Sequence, residues 1–210
     1  MALPRIDAYE LPTERDLPTN RVDWKPDPSR SVLLVHDLQN HFLSAYGPGS
    51  PTVAVLLDRV AALRAAADRA GVPVLWTAQR GGQSPEERGL QQDFWGSGLP
   101  ADPVAEAIPA QVAPASPDQV LTKRKYSAYV RTGLAERMAE LGRDQLVITG
   151  VYAHIGVLMT AADAWMRDVQ AFLVADAVAD FSAADHRMAL EYAAGRCASV
   201  TTAERVAAAW

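Results

Sequence analysis

From Ser31 onward the chain alternates two kinds of apolar pattern. Short unbroken apolar runs mark strands buried on both faces; they occur at 31–36, 72–77, 119–122, 145–149, 170–175 and 198–202. Between them apolar residues recur every three or four positions, the helical period. Ser50 and Pro51 open the first helix as N-cap and first helical residue, Val53, Leu56, Leu57, Val60 and Leu63 form its stripe, and Gly71 closes it. Leu134, Met138 and Leu141 mark a helix ended by Gly142, and residues 154–167 form an Ala- and Met-rich one. Ser182 caps another that runs to about Gly195, and a short last helix follows. Residues 79–116, rich in Gly, Pro and polar groups, read as a long excursion with a little helix.

Strands alternating with helices build right-handed βαβ units on a parallel sheet. The expected fold is α/β, a Rossmann-like three-layer αβα arrangement with a six-stranded parallel sheet in the order 3-2-1-4-5-6. Residues 1–30, with five prolines and little periodicity, read as an arm packed on the domain, and residues 31–210 as a single domain.

Composition narrows the function classes. The 210 residues carry a net charge of −5, which argues against a nucleic-acid partner. The single cysteine excludes an internal disulfide framework and a cysteine-based zinc site. No apolar run is long enough to span a bilayer, because Asp176 and Asp180 interrupt the best one. The N-terminus lacks the layout of a signal peptide, so a cytoplasmic protein is expected. The four histidines show neither HxxxH nor HxH spacing and are expected in surface or supporting roles, with no metal site.

In an open parallel sheet, ligands bind beyond the carboxyl ends of the strands where the strand order reverses. With the expected order that point lies between strands one and four. Asp37 follows strand one, Gln79 strand two, Lys123 strand three, and Tyr152 to Gly156 strand four. Asp37, just past an apolar strand, is expected to have its pKa raised by desolvation, which suits a general acid. Taken alone, an Asp there more often only caps a turn. Lys123, a cation at a neighbouring strand end, shifts the balance towards a shared site, although it also begins the basic run 123–125. Residues 150–156 lead into a helix whose first amides suit an anion, but their glycine spacing is weak evidence and is not GxGxxG. Trp95, Tyr126 and Tyr152 are candidates for an apolar pocket wall, although cores also hold aromatics. Cys197, away from these strand ends, reads as a buried structural thiol.

At these residues the sequence resembles the isochorismatase family, a branch of the cysteine-hydrolase-like superfamily. The resemblance covers nearly the whole chain. It runs through 8–12 in the arm, Leu33-Leu-Val-His-Asp-Leu-Gln39, Trp76-Thr-Ala-Gln79, Asp93-Phe-Trp-Gly96, Thr122-Lys123 with Tyr126-Ser-Ala128, Gly150-Val-Tyr-Ala-His-Ile-Gly156, and 172–181. Cysteine hydrolases of the superfamily use an Asp, a Lys and a Cys. Here Asp37 and Lys123 match and Gly156 stands at the cysteine's place, so a thiolate acyl-enzyme route is closed. The resemblance implies vinyl-ether hydrolysis of isochorismate or 2-amino-2-deoxyisochorismate, with protonated Asp37 donating to the methylene carbon and Lys123 orienting it. It implies a substrate pocket of Gln79, Arg88, Tyr126, Tyr152 and Gly156, with Arg88 on a substrate carboxylate and Phe42 and Trp95 lining the apolar wall. It also implies a cis peptide before Tyr152, no cofactor, a small dicarboxylate substrate, and a homodimer or larger homo-oligomer. Arg80, Arg124 and Lys125 depart from the family's usual residues at the pocket's edge. No Asp-Ser dipeptide of a carrier-protein site occurs, so a free-standing enzyme is expected. The rival readings are an amidase, which Gly156 opposes, and a non-catalytic binding member, which the joint presence of Asp37 and Lys123 opposes.

Overall fold

The computed structural model describes residues 3–210. Six strands, β1 (Ser31–His36), β2 (Val74–Ala78), β3 (Val120–Thr122), β4 (Gln145–Val151), β5 (Gln170–Ala179) and β6 (Ala198–Thr201), pair in parallel in the order β3-β2-β1-β4-β5-β6. The helices are α1 (Asn40–Leu43), α2 (Pro51–Ala70), α3 (Pro85–Arg88), α4 (Gln91–Trp95), α5 (Pro103–Glu106), α6 (Leu134–Glu140), α7 (Leu158–Trp165), α8 (Ala183–Arg196) and α9 (Ala203–Ala209). None of them is long and apolar enough to cross a membrane.

Side-chain alternation along the strands divides the core into two layers. On one face Val32, Leu34, Leu146, Ile148 and Leu173 pack against Leu134 and Met138 of α6, Ala161 of α7 and Leu190 of α8. On the other, Leu33, Val35, Val147, Phe172 and Val174 pack against Leu56, Val60 and Leu63 of α2 and Val206 of α9. All six residues of β1 are buried, which explains why that strand reads as one unbroken run.

Several boundaries differ from the sequence reading. Ser50 takes the N-cap position of α2, but its hydroxyl makes no capping bond. Strand β5 runs on from Ala175 to Ala179, through a charged residue. Asp176 is tolerated there because its carboxylate accepts from the Ala203 amide at 2.7 Å, at the start of α9, and lies 3.4 Å from Arg59. The segment after β4 opens with one wide turn, Ala153–Val157, in which the Val157 amide donates to the Tyr152 carbonyl at 3.3 Å, before α7 begins.

The excursion after β2 holds α3, α4 and α5 and is tied back by buried polar groups. Gln39 Nε2 donates to the carbonyls of Gln79 and Glu106 at 2.9 and 2.8 Å, and the Trp76 indole donates to Val112 at 2.9 Å. The N-terminal segment lies along the sheet's helical layers. Tyr9 exchanges bonds with Thr52 at 2.9 and 2.6 Å, and Asn20 exchanges bonds with Val200 at 2.9 and 2.7 Å.

Candidate active site

Asp37 is the first residue beyond β1, with φ of +51°, a left-handed conformation unusual outside glycine. Such a backbone costs on the order of 1–3 kcal/mol and persists only where its surroundings hold it. Thr77 at the end of β2 provides the hold: its hydroxyl donates to Asp37 Oδ1 at 2.5 Å and accepts from the Asp37 amide at 3.1 Å. Gln79 Nε2 donates to Oδ2 at 3.1 Å. Lys123, beyond β3, reaches the same oxygen from the other side, with Nζ at 2.8 Å. The Asp37 and Lys123 side chains are 5% and 3% exposed, so this ion pair sits out of bulk water.

The electrostatics overturn one expectation. Burial does push Asp37 upward, but the charge of Lys123, with hydrogen bonds from Lys123 and Thr77, outweighs it and holds the carboxyl down to about 2. Desolvation, the effect legible from an apolar strand, is therefore not decisive by itself. Asp37 is a carboxylate at neutral pH, and acid chemistry there requires it to take up a proton.

His36, expected from sequence in a surface or supporting role, lies beside Asp37 and lines the same cavity. It is 1% exposed, and its Nδ1 lies 2.9 Å from the Val151 carbonyl. A carbonyl only accepts, so Nδ1 carries the hydrogen. Burial lowers this imidazole to about 4, which keeps it neutral at neutral pH. Its ring fills the space next to Gly156: a Cβ built on Gly156 would lie 2.3 Å from His36 Cε1 and 2.9 Å from Nε2. Residue 156, which the resemblance puts at the place of a cysteine nucleophile, thus has neither a side chain nor, beside the His36 ring, room for one. Gly150 shows a similar constraint. A Cβ there would lie 2.0 Å from the His36 carbonyl, so only glycine lets β4 approach β1 at this register.

Arg88 ends α3 and is 3% exposed. Its Nε donates to the Gly96 carbonyl at 2.5 Å, and its guanidinium packs on Gly98, where a Cβ would lie 2.2 Å from Nη1. Among the described residues it pairs with no carboxylate. A buried cation without an anion is costly and is explained by a ligand that brings one.

Asp37, Lys123, Phe42, Gln79, Arg88, Trp95, Tyr126, Tyr152 and Gly156 all line one cavity of about 360 Å³. Its wall is aromatic: Tyr152 meets Phe42 edge-on at 6.1 Å and Phe181 at 4.5 Å, and Phe181 meets Trp95 at 6.0 Å. The Tyr152 hydroxyl donates to the Phe42 carbonyl at 2.6 Å. Tyr126 accepts from the Trp95 indole at 2.6 Å, which leaves its own hydroxyl hydrogen free to donate into the cavity. The Val151–Tyr152 peptide is cis.

Phe181, Leu3, His41 and His36 also line the cavity and were not singled out from sequence. Phe181 had a usable signal, since it follows the fifth strand, but that strand reads as ending before Asp176. His154 and His186 lie elsewhere: His154 pairs with Asp180 at 2.6 Å, and His186 meets the Tyr9 hydroxyl at 3.0 Å. His186 and His36 are buried, which leaves for them the second of the two expected roles, a supporting one. Cys197 is buried beneath α8, away from the cavity, and burial raises its thiol to about 11. Among the described residues no group of three or more His, Cys, Asp or Glu is placed to hold a metal.

Sheet order and helix layers define a three-layer parallel α/β protein with a buried Asp–Lys pair at the strand tips. The fold is similar to that of a cysteine hydrolase from Pseudomonas syringae pv. phaseolicola, with a TM-score of 0.79 at 23% identity, covering 92% of this chain and 99% of that one. The isochorismatase domain model matches residues 31–205, and the chain belongs to the isochorismatase family. It is 53% identical over 198 residues to the isochorismatase of Bacillus subtilis (strain 168), covering 94% of this chain and 64% of that protein's length. It is 50% identical over 204 residues to phenazine biosynthesis protein PhzD1 of Pseudomonas aeruginosa, covering 97% of this chain and 98% of the relative.

Proposed function

We propose that this chain is a hydrolase that cleaves the enol-pyruvyl vinyl ether of isochorismate or 2-amino-2-deoxyisochorismate, giving pyruvate and the corresponding dihydro-hydroxybenzoate or dihydro-hydroxyanthranilate. The observation that carries this reading is the buried Asp37–Lys123 pair, 2.8 Å apart, facing a cavity where residue 156 has no room for a thiol. A vinyl ether needs a proton on carbon and then water, and neither step needs a covalent enzyme intermediate. The names of the B. subtilis and P. aeruginosa relatives support the same substrate class.

In this mechanism the substrate's negative charge, brought into the dry site, opposes the effect of Lys123 and pushes the Asp37 carboxyl upward from about 2, so that it takes up a proton from solvent. Asp37 then donates that proton to the terminal methylene carbon. The alkene electrons form the new C–H bond, and the adjacent carbon becomes an oxocarbenium centre. Water adds there and loses a proton to give a hemiketal. The hemiketal breaks its bond to the ring oxygen, which leaves as a protonated hydroxyl, and pyruvate forms. Lys123 orients Asp37, Arg88 holds a substrate carboxylate bidentately, and Gln79, Tyr126 and Tyr152 contact the polar groups. Phe42 and Trp95 pack on the ring, and Gly156 leaves the backbone open to the substrate. This reading also takes the enzyme to be cytoplasmic, a homodimer or larger homo-oligomer, and without nucleic-acid or membrane partners. The net charge of −5 supports the absence of a nucleic-acid partner, and the single cysteine is in keeping with a reducing compartment.

The test is to incubate the purified protein with each substrate in D2O and follow pyruvate. Each turnover should place one solvent deuterium in the pyruvate methyl group. If neither substrate yields pyruvate, the reading is rejected.

A further inference from the structure

Directly after Lys123, three consecutive side chains cross to the excursion that carries Arg88 and Trp95. Arg124 Nη1 stands 3.9 Å from Glu87 Oε1, Lys125 Nζ donates to the Arg88 carbonyl at 2.7 Å, and Tyr126 accepts from the Trp95 indole at 2.6 Å. The first contact is weak, since both side chains are well exposed (39% and 51%) and such pairs contribute little. The second has a definite structural task. Helix α3 spans only four residues, too short to hold itself, and the chain leaves it at Gly89 with φ of +53°. The Arg88 carbonyl is one of the acceptors such a helix end leaves open, and a lysine there both bonds it and matches the helix dipole. Gly89 is favoured there by its φ rather than by space, since a Cβ on it would make only ordinary contact with Lys125 Nζ, at 3.5 Å. The Arg88 side chain is fixed at its far end by the Gly96 carbonyl and by the bare backbone of Gly98. Its backbone end is fixed by Lys125.

We infer that Lys125 is a positioning residue: it anchors the main chain of Arg88 so that the buried guanidinium stands at the depth where a substrate carboxylate meets it. This rests on the hydrolase reading above for the identity of the carboxylate, but not for the geometry. Because Arg88 binds a group that does not react, its displacement weakens substrate and transition state alike. The loss therefore appears in KM rather than kcat.

The experiment measures pyruvate release and, separately, the Kd of benzoate as a carboxylate probe by calorimetry. Lys125→Met is expected to raise KM and the benzoate Kd on the order of tenfold while kcat stays within about twofold. Lys125→Arg, which keeps a donor and the charge, restores most of the loss. In an Arg88→Ala background Lys125→Met adds nothing further, because the two residues act as one unit. Lys125→Gln serves as a second neutral variant if Lys125→Met fails to fold. An unchanged KM and Kd, an effect confined to kcat, a loss that adds in full to that of Arg88→Ala, or a wild type that does not bind benzoate would each overturn the inference. A wild type that binds benzoate in a Lys125-dependent way but releases no pyruvate would reject the hydrolase reading and leave the positioning role standing.

Discussion

The ring of His36 occupies the volume that a side chain on Gly156 would need, with Cε1 2.3 Å from where the Cβ would stand. The two residues are complementary: a large flat ring on β1's last position, and no side chain on the turn after β4. Installing a nucleophile by Gly156→Cys therefore forces His36 out of a site where it is 1% exposed. Overpacking of this kind costs about 1–3 kcal/mol, a fall in Tm of roughly 2–10 °C for a chain of this size. Gly156→Cys is expected to lose vinyl-ether hydrolysis without gaining amidase activity, whereas His36→Ala combined with Gly156→Ala recovers the Tm lost in Gly156→Ala. Differential scanning fluorimetry of the single and double variants checks this. Equal Tm values for wild type and Gly156→Cys would contradict it.

Removing either member of the Asp37–Lys123 pair strands a charge in a dry site. Lys123→Met and Asp37→Asn should each cost about 3–5 kcal/mol of stability, the usual loss when one partner of a buried pair is deleted. The double variant Asp37→Asn/Lys123→Met should be less destabilised than the sum of the two, which urea unfolding of all three measures. Asp37→Asn should also lower turnover at least ~100-fold, as loss of a general acid does, while substrate binding remains measurable. Full activity in Asp37→Ala would remove Asp37 from the chemistry.

Activity should fall with rising pH. The acid form of Asp37 is the one that donates, and the free enzyme holds this carboxyl near 2 through Lys123 and its hydrogen bonds, against the push of burial. Above the value reached in the substrate complex, each further pH unit leaves about a tenth as much acid form. A kcat profile from pH 5 to 8 should decline accordingly. A profile that is flat over that range means the proton is not drawn from solvent through Asp37.

Stability has the opposite pH preference. His36 and His186 are buried, and burial lowers both from 6.5 to about 4. The unfolded chain binds protons at these groups where the folded one does not, so stability is complete above 6.5 and is lost as pH falls towards 4. The expected loss is ~3 kcal/mol for each histidine across that window. His154 works the other way, since its hydrogen bond to Asp180 raises it, and its contribution is fully present below 6.5 and lost as pH rises through its folded value. Guanidinium unfolding at pH 7 and pH 4.5 should show a net fall in stability at the lower pH that His186→Phe reduces.

Cys197 takes no part in this scheme. Cys197→Ser should leave kcat and KM within about twofold of wild type, the limit expected for a small change in a buried thiol remote from the site. A folded but inactive Cys197→Ser enzyme would bring a thiol mechanism back.

Fold class and the four strand tips were legible in the sequence because they depend on periodicity, which local residues encode; the sheet order was taken from the common arrangement of such chains and is the one found. The same pattern misplaced the end of β5, since Asp176 looks like a strand terminator until Ala203, 27 residues away, supplies the amide that satisfies it. For His36 the choice between a surface and a supporting role stayed open because its identity alone does not say which way its ring faces, and that is settled by the Val151 carbonyl from the neighbouring strand. Phe181 and Leu3 reach the cavity from segments far apart in the chain, and no spacing rule links them to Asp37.

The sequence by itself determined which chemistry is available: a carboxyl, an ammonium and a glycine in place of a thiol, each at the tip of a strand or just beyond it. Only the tertiary structure decided the charge state of that carboxyl. Burial and ion pairing act on Asp37 in opposite directions, and which prevails depends on a distance of 2.8 Å between residues 86 positions apart.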